Sequence, residues 1–261
     1  MNVFILTDLE GIGKVTSIDY MDISSRQYEI ARKLLTEEIN YVGKLCKKYG
    51  ADNIYYLDGH GGGGNVYEDK IYDYLKKVDM ATWQNLLKDG KIDCQIELGS
   101  HARAGTIGGF LDHTINSRQW FSYKVNQREY SELAMHALVC SRYSVPIAAV
   151  IGDETACEQA KQYIKNIVTA PIKKADSRNK CADKANAEQI IENAISAALA
   201  NYKEIDLLHE SFPAEIELTF YRTDMCEETI SMCECEFERV NARTLRKIVN
   251  EINSYDDLKF Q

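Results

Sequence analysis

The chain has 261 residues and carries 31 basic against 40 acidic side chains, which gives a formal net charge of -9 at pH 7. This acidic balance, without any basic run, argues against a nucleic-acid partner, because binding to a phosphate backbone requires clustered lysine and arginine. No apolar stretch approaches the roughly 20 residues that span a bilayer, and the chain begins directly with a strand-like segment, so we expect no membrane partner and no secretion signal. The eight cysteines are scattered singly, which is typical of reduced thiols in a cytoplasmic protein.

The first predicted element is a buried strand at residues 2–6 (NVFIL), which leads into the acidic loop TDLEGIG at residues 7–13. Asp8 and Glu10 therefore follow the carboxyl end of a strand. Because residues two apart on an extended chain point the same way, we expect these two carboxylates to converge outside the edge of the sheet. Ligands of α/β folds bind at this edge, and two unpaired carboxylates in one place favour a bound cation.

A helix and a second strand follow the acidic loop. Residues 25–49 carry apolar side chains at helical spacing, and Gly50 provides a natural stop. Residues 53–57 (NIYYL) then predict a second strand, and the helical crossover between the two strands makes them parallel. The second strand ends in the glycine-rich segment DGHGGGG at residues 58–64, which contains His60.

Two further histidines also follow strand-like or small-residue segments. Residues 68–88 predict a helix that is interrupted near Asp79. Residues 92–99 alternate between apolar and polar types as a strand does, and they lead into GSHARAG with His101. A flexible segment then ends in FLDHT, which contains His113. The pattern of a strand followed by a histidine therefore recurs.

The pattern in the second half of the chain predicts another strand-to-helix unit and then a region of strands with one face exposed to solvent. The helix predicted at residues 131–143 carries Glu132 in its first turn. The other predicted elements are a hairpin at residues 119–129, strands at 146–152, 167–172, 214–222 and 230–240, and helices at 155–164, 184–202 and 241–254. We expect one α/β domain over residues 1–261 with three layers, in which helices flank a mostly parallel sheet and a mixed C-terminal extension begins near residue 205.

The candidate functional residues supply three carboxylates and two imidazoles, a mixture that suits zinc or a similar divalent ion. Their number exceeds the three protein ligands of an ordinary catalytic zinc site, so the sequence predicts two ions that share a bridging carboxylate. The predicted metal ligands are Asp8, Glu10, His60, His101 and Glu132. A thiolate site at Cys226, Cys233 and Cys235 is a weaker alternative, because free cysteine is commonly a small buried hydrophobe. His136 and His209 are interpreted as structural.

The motifs TDLEGIG, DGHG, GSHARAG, LDHT and SELAMHA, in this order and spacing, resemble those of the D-aminopeptidase family of zinc metallopeptidases. The similarity spans the whole chain. The combination of HARAG with an upstream DxEG is more specific than any glycine pattern. In two places the chain departs from the family pattern. The strand before His101 carries Gln95 and Glu97 where members are apolar, and Gln127 and Ser131 replace glycines near the hairpin.

This resemblance implies a dinuclear zinc site in which Asp8 bridges the two ions. It further implies that Glu10 and His101 complete the coordination of one ion and that His60 and Glu132 complete that of the other. His113 would be the catalytic residue beside them. A family member would be a cytoplasmic, ring-shaped homo-oligomer, pentameric or decameric, that removes N-terminal D-amino acids from short peptides.

Alternatives from other classes remain open at this point. The sequence HGGGG is similar to the oxyanion loop of serine esterases, but the chain has no G-x-S-x-G nucleophile motif. Aspartyl-phosphate phosphatases also carry an acidic loop after the first strand, but they require aspartate at the position of Glu10. The non-enzymatic alternative is a metal-binding assembly protein of the same fold with lost or altered hydrolase activity.

Overall fold

Twelve strands and six α-helices form within residues 1–260, which are the residues that this computed structural model describes. In chain order they are β1 (Asn2–Thr7), α1 (Arg26–Lys48), β2 (Asn53–Asp58), β3 (Leu75–Lys77), α2 (Met80–Lys88), β4 (Cys94–Ser100), β5 (Trp120–Val125), β6 (Arg128–Glu129), α3 (Glu132–Arg142), β7 (Ile147–Asp153), α4 (Glu154–Tyr163), β8 (Val168–Ser177), β9 (Lys180–Asp183), α5 (Ala187–Asn201), β10 (Ala214–Phe220), α6 (Thr223–Met232), β11 (Glu238–Asn241) and β12 (Thr244–Val249).

Seven strands form the central sheet in the order β3-β2-β1-β4-β7-β8-β9, and only the pair of β8 and β9 is antiparallel. Helices flank this sheet, with α4 and α5 packed on β7 and β8 and with α1 packed on α5. The predicted α/β class with a mostly parallel sheet is confirmed. Among the described residues, no helix is long and apolar enough to cross a bilayer.

The place of β1 in this order decides where a ligand can bind. β1 lies between β2 and β4, and Thr7 at its end is paired with Asp58 on one side and with Leu98 on the other. The crossover from β1 leads to β2 on one side, and the later crossover from β3 leads to β4 on the other side of β1. Such a reversal in strand order opens a crevice outside the carboxyl ends of the strands. The loops that carry Asp8, His60 and His101 all begin at this edge.

The helix predicted at residues 25–49 is confirmed as α1, and its ends show why the sequence folds there. The Ser25 hydroxyl caps the N-terminus by accepting a hydrogen bond of 3.0 Å from the Tyr28 N–H. Buried Leu35, Ile39 and Val42 form the stripe that faces the core. Gly50 follows with a φ of 96°, a conformation that glycine adopts without strain.

A second, antiparallel sheet has the order β11-β12-β10-β5-β6. In β10 every second residue is buried, as the alternating sequence predicts. The hairpin predicted at residues 119–129 is confirmed, with positive φ at Asn126 and Gln127 in its turn. The C-terminal extension expected after residue 205 therefore forms this sheet together with β5 and β6, which come from the middle of the chain.

Three local predictions were wrong. Residues 68–88 contain the short strand β3 and the helix α2, which starts where the Asp79 carboxylate caps the Thr82 N–H at 2.8 Å. The strand predicted at residues 230–240 is the end of α6 and the start of β11. The closing helix predicted at residues 241–254 contains β12, which pairs with β10 from Thr244 to Val249. Pairing with a distant strand thus overrides the helix propensity of leucine, arginine and lysine there.

Candidate metal centre

A cavity of about 980 Å³ opens at the carboxyl edge of the central sheet, between the loops that follow β1, β2 and β4 and the N-terminus of α3. The structure brings all the predicted site residues to its wall. They are Asp8, Glu10, His60, His101, His113 and Glu132. His209 lies outside this cavity, whereas His136, interpreted as structural from the sequence, lines it.

The first part of the cluster joins the acidic loop to the glycine-rich loop. His60 Nδ1 lies 3.1 Å from Asp8 Oδ1 and 3.0 Å from Glu10 Oε2. The loop of His60 is held by Asn65, whose side-chain amide donates to the His60 carbonyl at 2.6 Å and to Asp58 Oδ1 at 2.9 Å. The imidazole is therefore positioned by the backbone around it.

The second part of the cluster joins the loop after β4 to the start of α3. His101 Nε2 lies 3.1 Å from Asp8 Oδ2 and 3.5 Å from Glu132 Oε1. Asp8 thus contacts a different histidine with each of its two carboxylate oxygens. Glu132 Oε1 also accepts a hydrogen bond of 2.6 Å from the Ile115 N–H, which fixes its orientation.

His113 stacks on His101, with ring centroids 4.0 Å apart and an angle of 6° between the ring planes. Its Nε2 lies 3.7 Å from Glu132 Oε1. In both rings Nδ1 donates to a backbone carbonyl at 2.9 Å, that of Ala102 for His101 and that of Leu111 for His113. These bonds leave Nε2 of each ring free to act on the cavity side.

Close backbone packing sets the position of the acidic loop. The Gly11 N–H donates to the Gly99 carbonyl at 2.8 Å. A side chain at Gly11 would place its Cβ 2.3 Å from the Gly99 carbonyl carbon, so the loop after β1 can approach the end of β4 only with glycine there. The buried Lys173 ammonium donates to the carbonyls of Glu10, Ile12 and Val15 on the same loop.

The charges of the cluster support one another. Burial opposes ionisation of Asp8, yet the imidazoles of His101 and His60 hold the pKa of Asp8 well below its usual value. Burial also opposes ionisation of Glu132, but the charge of His101 lowers the pKa of Glu132 to about 2. Against the effect of burial, the neighbouring carboxylates raise the pKa of His60 to about 11 and raise that of His101.

The residues present fit a metal centre. A tetrahedral zinc ion with ligand bonds of about 2.0–2.1 Å holds its ligand atoms about 3.3 Å apart, and the nitrogen-to-oxygen distances above are of this size. Among residues 1–260, the buried His101 Nε2 has no hydrogen-bond partner, although Asp8 Oδ2 lies 3.1 Å away. Such an atom needs another partner, and a cation between the carboxylates provides one.

Two groups of potential ligands stand out among residues 1–260. One is formed by Asp8, Glu10 and His60, and the other by His101, His113 and Glu132. This grouping differs from the pairing that the family resemblance implies, in which Glu10 acts with His101 and His60 acts with Glu132. Within the part of the chain that the structure describes, no comparable group includes a cysteine, so the thiolate alternative gains no support.

Sequence reasoning missed two features of the site. Lys173 carries no sequence signal beyond its place directly after the strand predicted at residues 167–172. Glu97 was noted as a departure in the strand before His101, but its contact with His136 was not foreseen. The two are 39 residues apart in the chain, and only the packing of α3 against β4 brings His136 Nδ1 to 3.3 Å from Glu97 Oε2.

The family model of D-aminopeptidase matches residues 1–256. The D-aminopeptidase of Bacillus subtilis (strain 168) is 29% identical over an alignment of 210 residues, and the match covers 78% of this chain and 76% of that protein. A solved structure, the Zn-dependent D-aminopeptidase DppA from Bacillus subtilis, described as a self-compartmentalizing protease, has a TM-score of 0.89, 23% identity, and coverage of 99% of this chain and 95% of its own. The chain belongs to the D-aminopeptidase family.

Proposed function

We propose that this member of the D-aminopeptidase family is a dinuclear zinc aminopeptidase that removes N-terminal amino acids, of the D configuration, from short peptides. The observation that carries the proposal is the assembly of three carboxylates and three imidazoles, from four separate segments of the chain, on the wall of one cavity. The zinc dependence of the DppA structure, which shares the fold, supports the choice of metal.

The distances favour a specific distribution of ligands. One ion would be held by Asp8, Glu10 and His60, and the other by Asp8, His101 and Glu132. Asp8 is the bridge in this arrangement because its Oδ1 faces His60 and its Oδ2 faces His101. Each ion then has three protein ligands, which is the number that leaves a coordination position open for catalysis.

Two zinc ions bound here would supply a hydroxide at neutral pH and would polarise the scissile carbonyl. The role of the chain is to orient the groups around that centre. His113, held through Nδ1 by the Leu111 carbonyl, presents Nε2 next to Glu132 and His101. From there it can carry a proton to the leaving amine or stabilise the charge that develops.

The same proposal includes an assembled, cytoplasmic enzyme. A homo-oligomeric ring is supported by the self-compartmentalizing neighbour, and light scattering that returns only the monomer mass of 29.7 kDa would contradict it. Six of the eight cysteines are buried as free thiols, which is compatible with a reducing compartment.

The test combines metal analysis with hydrolysis of D- and L-aminoacyl amides. We expect two zinc ions per chain and faster release of D-residues. His113→Ala should keep its zinc but lose about 10²- to 10⁴-fold in kcat, because proton transfer contributes on this order. His209→Ala, at an exposed histidine outside the cavity, is the matched control. Full activity of His113→Ala would remove that residue from the mechanism, and bound zinc without any turnover would favour the assembly-protein alternative.

A further inference from the structure

A second pair of a carboxylate and an imidazole joins the strand β4 to the helix α3, beside the proposed metal ligands. The first pair is His101 with Glu132, at 3.5 Å. The second is Glu97 with His136, at 3.3 Å. Glu132 and His136 are four residues apart and so lie on the same face of α3, one turn from each other. Glu97 lies in β4 and His101 directly follows that strand, so both pairs link the same two elements.

The second pair lies at the wall of the same cavity, although both side chains are almost fully buried, with 3% of Glu97 and 5% of His136 exposed. Its geometry is fixed from behind. Glu97 Oε1 accepts a hydrogen bond of 2.7 Å from the Gln95 amide, and Gln95 Oε1 accepts one of 2.8 Å from the Trp83 indole. The network therefore holds His136 in one orientation before any ligand arrives.

The remaining polar atom of His136 is free for a ligand. Nδ1 donates to Glu97, and Nε2 has no hydrogen-bond partner among residues 1–260, whereas the ring lines the cavity. Burial opposes protonation of His136, but the Glu97 carboxylate raises its pKa above the ordinary value. With Nδ1 donating to Glu97, the protonated ring that this carboxylate favours presents Nε2–H to the cavity, and a charged donor of this kind forms its strongest hydrogen bonds with anions.

The surroundings of His136 indicate what the ligand is. The neighbouring cavity wall is largely apolar, with Met80, Leu133 and Tyr255, so a polar group that enters must be satisfied there. Lys259 lines the same region, but its ammonium is already paired with Asp256 at 3.1 Å. Arg118 and Arg178 line the cavity as well, but Arg118 is exposed and Arg178 is paired with Asp112 at 3.1 Å. His136 is therefore the buried donor of this wall that lies outside the proposed metal ligands.

Resting on the proposed peptidase function, we propose that His136 is a specificity-determining residue that binds a carboxylate of the substrate through Nε2, with Glu97 as the group that orients it. Two sources would present this chemistry. One is the C-terminal carboxylate of a dipeptide, which lies one residue beyond the scissile carbonyl. The other is the side chain of an acidic N-terminal residue. The spacing of one helical turn, about 5.4 Å, between the metal ligand Glu132 and His136 suits the first.

The experiment compares kcat/KM of the zinc-loaded enzyme on two matched pairs of compounds. D-alanyl-D-alanine against its C-terminal amide, D-alanyl-D-alaninamide, reports a C-terminal carboxylate, and the α-amide of D-glutamate against that of D-glutamine reports a side-chain carboxylate. We expect the wild type to prefer the carboxylate member of one pair, and His136→Leu to reduce that preference about tenfold, mostly through KM, because a hydrogen bond to a charged group is lost. Glu97→Gln, which removes the charge but keeps the shape, should reduce it in the same direction.

Cys140→Ser is the matched control, since its Sγ contacts Gln95 in the same network at 3.3 Å without lining the cavity; its preference should stay at the wild-type value. An equal loss on both members of each pair in His136→Leu, or no preference in the wild type, would overturn the proposal. If the wild type hydrolyses none of the four compounds, the peptidase function itself fails. Isothermal titration of the same compounds then decides the role of His136, which stands only if a carboxylate preference in binding is lost in His136→Leu.

Discussion

Asp8 shows how a single side chain can join two groups of potential metal ligands. Its Oδ1 lies 3.1 Å from His60 and its Oδ2 lies 3.1 Å from His101. A carboxylate shared in this way ties the two groups of ligands together, and it lies directly after the central strand β1. Glu10 and Glu132 each contact only one of these two histidines.

This arrangement predicts which double variants keep one zinc ion. Glu10→Ala combined with His60→Ala removes two ligands from the same ion, so we expect about one zinc per chain to remain after dialysis. Glu10→Ala combined with His101→Ala removes one ligand from each ion, and both ions should be lost or weakened. Elemental analysis of the purified proteins measures the difference. The reverse result would restore the pairing in which Glu10 acts with His101.

At the scale of elements, the acidic loop depends on the strand β8. Lys173, in that strand, is fully buried, and its ammonium donates to the carbonyl of Glu10 at 3.0 Å, to that of Val15 at 2.6 Å and to that of Ile12. Burial lowers the pKa of this lysine, and the three carbonyls offset that cost by solvating the ammonium. The loop that carries two proposed metal ligands is therefore held in position by one buried side chain.

Lys173→Met should disturb both stability and the metal site. The variant removes the ammonium from three carbonyls. The Ile12 carbonyl keeps a hydrogen bond from the Val15 N–H at 3.3 Å, and the Val15 carbonyl keeps one from the Cys181 thiol at 3.5 Å, but the Glu10 carbonyl loses its donor. An unsatisfied buried group costs about 1–3 kcal/mol, so we expect a loss of about 2 kcal/mol in the free energy of unfolding and weaker zinc binding. Urea denaturation and competition with a chelator measure the two effects. Lys174→Met, at an exposed neighbour whose side chain is 71% exposed, is the control and should change neither. Wild-type values for Lys173→Met would show that the loop holds its shape without this lysine.

For the whole molecule, the stability at alkaline pH is limited by a buried carboxyl group on α1. Glu38 Oε2 accepts a hydrogen bond of 2.9 Å from the Gly13 N–H, and its Oε1 is buried without a partner in the described part of the chain. Burial raises the pKa of Glu38 from 4.5 to about 7. Because the folded-state pKa is the higher one, the folded protein is favoured below pH 4.5, and this contribution is lost as the pH rises through about 7.

Glu38→Gln should remove this dependence, because the amide is neutral at every pH and its oxygen can still accept from Gly13. We expect the variant to be more stable than the wild type by about 2 kcal/mol at pH 8 and nearly equal to it at pH 5. Thermal unfolding of the zinc-loaded proteins at the two pH values measures the difference. Glu37→Gln, at the adjacent exposed position, should show no such change. If the stability of Glu38→Gln and that of the wild type change with pH in the same way, the raised pKa of Glu38 does not affect folding.

The sequence by itself determined the α/β class, the strand-to-helix units of the first two thirds and the residues that gather at the site. The reason is local: apolar periodicity marks the strands that end in the central sheet, and parallel strands deliver the residues that follow them to one edge. Asp8, His60 and His101 could be named because each follows a strand end. The family assignment also came from short motifs that are contiguous in the chain.

Only the tertiary structure decided how these residues are paired and what lies beside them. Within residues 241–254, for example, a strand forms because it pairs with a distant strand. Local propensity gives no information about such pairing. The contact of Glu97 with His136 and the bonds of Lys173 to the acidic loop join residues far apart in the chain. Such contacts depend on packing geometry in three dimensions, so they cannot be inferred from the spacing of residues along the sequence.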